Sequence, residues 1–376
     1  MPAMSDKLGN PCRILLLSVL IAGLGVRLGW AVSRAADSES LRILPDQSEY
    51  LQLGENLRSG RGLVLHDARF DADAFAFRTP GYPLLIAACG AKLTAIRALQ
   101  AVLDAFNILA AYLLARRWLD ERASVAAAAI VAFNPFLIYF TGLILSETLF
   151  ISLLVWGMTL LVRRASAAGV ALLALSVLVR PSAFALPAIL AYLASNLHPS
   201  DGARPHPARS FAHAGGAIIL TLLVLFPWAW RNHRLLGTWV WTSTNSGFTM
   251  YDGFNPDADG SSDQSFVSDM PELSAKHDEV ERSRYLSSLA WNWIADDPLG
   301  AARVAVIKIG RTWSPVPLSA QFGSSPVLHV VSITYAIPLF AATVVGLCTR
   351  GLSRSAKVYL MLPAIYFTVA HALSVG

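Results

Sequence analysis

Cys12-Arg13-Ile14-Leu15-Leu16-Leu17-Ser18-Val19-Leu20-Ile21-Ala22-Gly23-Leu24-Gly25-Val26-Arg27-Leu28-Gly29-Trp30-Ala31-Val32 decides how the rest of the chain is read. Apart from Arg13, Ser18 and Arg27 it is apolar residues and glycine throughout. A helix rises about 1.5 Å per residue, so this length matches a hydrocarbon core of about 30 Å. It is longer than a signal-peptide core, and no small-residue cleavage site follows it cleanly. It therefore reads as a retained anchor.

The same pattern recurs. Further apolar stretches run over about 96–115, 124–140, 148–162, 167–179, 181–197, 214–230, 327–348 and 358–375, which makes nine in all. The stretches at 167–179 and 181–197 are short and meet at Arg180-Pro181. Composition agrees with this pattern. Of 376 residues, 55% are hydrophobic and 15% charged, against roughly 45–50% and about 25% in soluble domains. Too little charge is present to cover soluble domains of this length. The expected fold is thus an all-α polytopic membrane protein, one domain over 1–376. Cys12, Cys89 and Cys348 lie far apart, with neither disulfide nor CxxC metal spacing.

Arginine and lysine give the orientation. With Lys7 and Arg13 inside, the even-numbered spans end at Arg116-Arg117 with Arg122, Arg163-Arg164, Arg204 with Arg209, and Arg350, Arg354 and Lys357. Every short cytoplasmic turn is then basic. The two long outer loops, about 33–95 and 231–326, hold eight and eleven of the 25 Asp and Glu residues. The pI of about 9.2 follows from this membrane orientation, and nucleic acid is not needed as a partner. Trp228, Trp230, Trp239, Trp241, Trp291, Trp293 and Trp313 gather near the expected outer interface. An aromatic belt accounts for most of them, and stacking on a sugar or lipid headgroup is the other use.

A transporter or flippase would place polar residues within its spans. Here Asp104 and Arg27 are the clearest examples, and the polar load sits in the outer loops instead. In the first loop, Pro45-Asp46-Gln47-Ser48-Glu49-Tyr50-Leu51 opens a short amphipathic helix along the interface, with Asp46 at its start. Asp46 there either caps the helix or faces the water. Phe77-Arg78-Thr79-Pro80-Gly81-Tyr82-Pro83 returns the chain to the apolar zone and leaves Arg78 at headgroup depth. That arginine is either a snorkelling side chain or a bidentate phosphate clamp. Ser146-Glu147 opens another helix; Glu147 suits a helix N-terminus and also the depth of the first loop. Arg180, Arg231, His233 and Arg234 collect at the outer boundary, the side that positive residues avoid, and an anionic lipid phosphate would explain them.

These segments carry a resemblance. Asp46-x-x-x-Tyr50, Arg78-Thr79-Pro80-Gly81-Tyr82-Pro83, Leu145-Ser146-Glu147-Thr148, Val179-Arg180-Pro181 and Pro227-Trp228-x-x-Arg231-Asn232 resemble the GT-C superfamily of membrane glycosyltransferases. The nearest branch is the bacterial one related to protein O-mannosyltransferases and lipid A aminoarabinose transferases. The likeness covers about residues 10–320; each motif is weak alone, and their order, spacing and sidedness are the more specific signal. It implies a GT-C-like bundle of about nine spans with juxtamembrane helices in the first outer loop. It also implies an inverting enzyme of the bacterial inner membrane, working on the periplasmic side. Such an enzyme moves a sugar from a polyprenyl-phosphate donor to a protein, lipid or glycan acceptor.

On that resemblance Asp46 is the catalytic base. Arg78 and Arg231 hold the donor phosphate, with Arg180, Glu147, Tyr50, Tyr82 and His233 as further substrate-binding residues. The second loop shapes the acceptor site. No cofactor is required, because fixed arginines can stabilise a departing phosphate. A divalent cation between His233 and Glu147 or Glu49 is the alternative, on a spacing that matches no metal pattern. The rival functions are a transporter or flippase of a lipid-linked substrate, and a non-catalytic assembly partner suggested by the short C-terminus.

Overall fold

The opening stretch forms one unbroken helix, α1 (Asn10–Ser33). A computed structural model describes residues 10–34, 41, 44–197, 207–318, 323 and 325–374. Lys7 and Arg204, expected on the cytoplasmic side, lie outside the described residues. After α1 come α2 (Pro45–Arg58), the hairpin β1 (Leu65–Asp67) and β2 (Ala72–Ala74), α3 (Gly81–Ala88), α4 (Leu93–Ala115), α5 (Glu121–Ala132) and α6 (Pro135–Thr141). Next are α7 (Glu147–Val162), α8 (Ser166–Val177), a 3-10 turn Pro181–Ala183, α9 (Leu186–Asn196) and α10 (Pro207–Leu236). The chain closes with α11 (Ser246–Gly253), α12 (Glu279–Asp296), α13 (Pro298–Thr312), α14 (Pro326–Cys348) and α15 (Arg354–Ala372). Helix accounts for 73% of the described residues. Among the described residues the only sheet is the antiparallel hairpin, with Leu65 opposite Ala74 and Asp67 opposite Ala72.

Four helices, α1, α4, α10 and α14, are each long and apolar enough to cross a membrane. The stretch at 124–140 is not a single rod. It is α5 and α6, bent by 48° at their junction. Asn134 and Pro135 cause the break: Pro135 lacks an amide proton, and Asn134 Oδ1 accepts from the amides of Phe136 and Leu137 to start a new helix. Counted together, the bent pair makes a fifth candidate span, while α7 and α8 are shorter apolar helices. Ile14, Ile21, Val327 and Val330 are all at least 65% exposed, which suits hydrocarbon and not water. The chain is a membrane protein.

Helix α1 packs on α4, α5 and α6, α4 on α7, α7 on α8, and α9 on α10. Gly157 and Gly169 let α7 and α8 meet closely: a Cβ on Gly169 would lie 2.9 Å from the Gly157 carbonyl oxygen, the small-residue contact that membrane helices favour. Inside the bundle, the Arg27 Nε lies 2.6 Å from Asp104 Oδ2, and its Nη1 donates to the carbonyls of Gly23 and Ala132. Asn107 bridges Asp104 Oδ1 to Ser152 Oγ, at 3.0 Å each. The two charges anticipated within the spans therefore neutralise each other.

The two long loops form a second core. Leu53, Leu65 and Phe77 pack with Phe248, Leu273 and Leu286. This cluster is separate from the main apolar cluster around Ile144, Leu173 and Leu186.

Candidate active site

Pro45 occupies the first turn of α2, and Leu44 is its N-cap without a side-chain cap bond. Asp46 is thus not the cap. Its carboxylate turns instead to Arg78, whose Nη2 lies 2.6 Å from Asp46 Oδ1. Glu49 follows three residues on and shares the same helix face. The Nε and Nη2 of Arg78 donate to Glu49 Oε2 at 2.8 and 2.6 Å. One guanidinium therefore joins two carboxylates. Its face is flanked by Tyr50 and Phe77, at 5.4 and 5.3 Å from the ring centroids.

Backbone contacts fix the arginine. Thr79 Oγ1 donates to the Val179 carbonyl and the Gly81 amide to the Leu178 carbonyl, at 3.0 and 2.9 Å. This seam sets the 77–83 re-entry against the 178–181 turn. Arg180, on that turn, places Nη2 2.6 Å from Glu147 Oε1 and Nε 3.2 Å from Ser146 Oγ. The Thr79–Val179 contact thereby joins a segment carrying the Arg78 pair to one carrying the Arg180–Glu147 pair.

A cavity of about 750 Å³ opens beside Asp46, Glu49 and Arg78. Its far wall comes from the hairpin through Asp67 and Arg69, and from the second loop through Asn245, Ser262 and Gln264. Arg69 grips Asp67 with Nε and Nη2 at 2.9 and 2.7 Å, and its Nη1 donates to Gln264 Oε1 at 3.0 Å. Asp46 is 52% exposed, against 15% for Arg78 and 21% for Glu49. Burial pushes the Glu49 carboxyl above its ordinary range against the pull of Arg78, and the Asp46 charge adds to the rise. Burial opposes the charge on Arg78, but Tyr50, Glu49 and Asp46 hold it more firmly protonated than usual.

The remaining candidates fall elsewhere. Tyr50 and Tyr82 are buried in an edge-on pair at 5.0 Å, and the Tyr82 hydroxyl donates to Gln100 Oε1 at 2.5 Å. Gln100 in turn donates to the carbonyls of Thr141 and Leu143, so both tyrosines serve packing. Arg180 and Glu147 pair beside the cavity without lining it. Arg231 donates to the carbonyls of Phe75 and Leu63 at 2.5 and 2.6 Å, which makes it a brace between the loops. His233 stacks flat on Trp239 at 4.5 Å. Among the described residues, no three His, Cys, Asp or Glu side chains gather in a metal-holding group.

Sequence reasoning missed Asp67, Arg69, Asn245 and Gln264, and treated Glu49 only as a cation ligand. Asp67-x-Arg69 offers a local acid-base pair as a signal, but such pairs are common in solvated turns. The contribution of Gln264 comes from 195 residues away, and nothing local announces it.

The loops are held together by Glu279, which is 4% exposed. Its Oε1 accepts from the Phe75 and Ala76 amides at 2.7 and 3.0 Å, and its Oε2 from Thr244 Oγ1 at 2.6 Å. The Thr244 amide donates back to the Ala76 carbonyl at 2.9 Å. No family model, curated protein or solved structure matches this chain.

Proposed function

We propose that the chain is an inverting GT-C-type glycosyltransferase that uses a polyprenyl-phosphate sugar at the outer face of a bacterial inner membrane. The carrying observation is the half-exposed Asp46 carboxylate, 2.6 Å from a mostly buried Arg78, on the wall of a roughly 750 Å³ cavity beside a bundle of apolar helices. An acceptor hydroxyl attacks the sugar C1 from one side while the C1–oxygen bond to the phosphate breaks on the other. Asp46 takes the hydroxyl proton, and the departing polyprenyl phosphate keeps the bonding electrons. A carboxylate within hydrogen-bond reach is a competent base.

Among the described residues, Arg78 Nη1 has no protein partner, whereas Nε and Nη2 are engaged. That remaining edge is available to a phosphate oxygen, and the two carboxylates behind it hold the fork in place. Arg180, braced by Glu147, is a second cation beside the same seam. Arg231 and His233 are assigned no contact with the donor. The paired Arg27 and Asp104 supply no open polar path through the bundle, which disfavours transport. About nine spans, with the shorter α7, α8 and α9 crossing beside the longer helices, is the membrane arrangement this reading requires.

The test is label transfer from a radiolabelled polyprenyl-phosphate sugar panel by the purified chain. Asp46→Asn is expected to lower transfer by about 10²–10⁴-fold, the usual contribution of a positioned base, with donor binding retained. Undiminished transfer by this variant removes Asp46 as base. Absence of transfer by the native chain across the panel rejects the enzyme.

A further inference from the structure

Gly237 ends α10 in the left-handed region, with φ +67°, and turns the chain into an irregular segment over 237–245. Trp239 and Trp241 on this segment are 45% and 38% exposed. Their rings are 6.0 Å apart with planes within 22°. The platform is fixed from behind: Asn232 Nδ2 donates to the Val240 carbonyl and Trp228 Nε1 to the Thr242 carbonyl, at 3.0 and 2.6 Å. His233 supports Trp239 from α10, parallel within 1°. The two indoles therefore hold their orientation before any ligand arrives.

Beside them is a groove of about 230 Å³. Six of its eleven lining residues are serine or threonine, and Arg284 closes one edge. An indole face is electron-rich. A pyranose ring presents a face of C–H groups and a rim of hydroxyls, so it can lie on the indole while the rim meets serine and threonine oxygens. Acyl chains have no use for those hydroxyls. An exposed indole face of this near-parallel pair would seat one pyranose ring of a saccharide. The groove and the cavity share one stretch of chain: Thr244 and Ser246 line the groove, and Asn245 between them lines the cavity that Asp46 also lines.

We propose that the Trp239–Trp241 groove is a saccharide-binding subsite and that the acceptor of this chain is a glycan, presented from the groove to the cavity. Only the word acceptor rests on the transferase reading; sugar binding is read without donor or turnover, so the two can fail separately. The full chain in lipid nanodiscs is applied to an immobilised glycan array, beside Trp239→Ala/Trp241→Ala, the aromatic-preserving Trp239→Phe/Trp241→Phe, and Trp291→Ala as a control at another exposed tryptophan. The native chain is expected to retain at least one class of oligosaccharide. The double alanine variant should lose that signal by tenfold or more, the double phenylalanine variant should recover part of it, and Trp291→Ala should leave it unchanged. No retention by the native chain, or equal retention by the double alanine variant, overturns the proposal. In the same nanodiscs, phospholipids brominated along the acyl chain should quench Trp239 and Trp241 weakly, read as the native-minus-double-variant emission. Strong quenching would make the pair a lipid-immersed belt and overturn the subsite.

Discussion

Glu49, partly buried, and Lys308, fully buried, are ionisable side chains with opposite pH behaviour. Burial raises the Glu49 carboxyl above its ordinary 4.5. Between 4.5 and the raised value the folded chain holds a proton that the unfolded chain has released, so this contribution to stability is full below 4.5 and is lost as pH rises. Glu49→Gln keeps the neutral form at every pH. The native thermal midpoint should therefore fall relative to Glu49→Gln as pH is raised from 4 to 8, and a relative rise would mean that the Arg78 pairing outweighs desolvation. Lys308 is 1% exposed, its Nζ has no hydrogen-bond partner, and it lies 3.7 Å from the Phe254 ring centroid. Burial lowers it to about 8 against the pull of Asp252. Here the unfolded chain is the proton holder between about 8 and 10.5, and stability rises with pH across that window. Lys308→Met should stabilise the protein by roughly 1–3 kcal/mol at pH 7, with the gain shrinking above pH 8; loss of stability at pH 7 would reveal a partner for the amine. At this scale Asp46 and Arg78 were legible, because a carboxylate opening an interfacial helix and an arginine before a proline turn are local patterns. Glu49 as the third member was not, since its role depends on Arg78, 29 residues away.

Among the elements, the 77–83 re-entry controls where Arg78 sits. A Cβ on Gly81 would lie 2.7 Å from the Leu178 carbonyl oxygen and 2.8 Å from Val179 Cγ2. Since backbone blocks one of those approaches, Gly81→Ala must open the seam with the 178–181 turn. The expected cost is about 1–3 kcal/mol, typical of overpacking. Gly25→Ala on α1, where a Cβ meets nothing within 4 Å, should leave stability unchanged or slightly higher. Thermal unfolding of the two variants side by side checks the pair, and equal midpoints would mean that the seam yields without strain. The helices themselves were legible, since long apolar runs leave the backbone no other way to satisfy its polar groups in lipid. The α5–α6 bend was overlooked, although Asn134-Pro135 carries both a capping side chain and a helix breaker. Apolar run length alone smoothed over it.

At the scale of the molecule, two bodies of different construction share one chain: an apolar helical bundle and a polar loop unit with its own core. The second body was not legible, because its contacts join residues about 200 positions apart; the Phe75 amide and Glu279 are separated by 204. Glu279 is the clasp. Removing its carboxylate strands the Phe75 and Ala76 amides and the Thr244 hydroxyl, and it takes away the negative charge near Arg231. Each buried donor left unsatisfied costs about 1–3 kcal/mol. The main bundle cluster contains neither Glu279 nor any residue it holds, so the loss should be local and not global. Glu279→Ala is expected to speed amide hydrogen exchange at Phe75, Ala76, Thr244 and through α11 by two or more orders of magnitude, while α7 and α8 keep native protection. Glu279→Gln should fall between, since its amide oxygen still accepts one of the donors. Because Asn245 lies on the cavity wall and adjoins Thr244, unfastening the clasp should also blunt any function that needs both loops. Uniform acceleration across bundle and loops would show that the two bodies unfold as one cooperative unit, and Glu279 would then be a global stabiliser instead of a clasp between them.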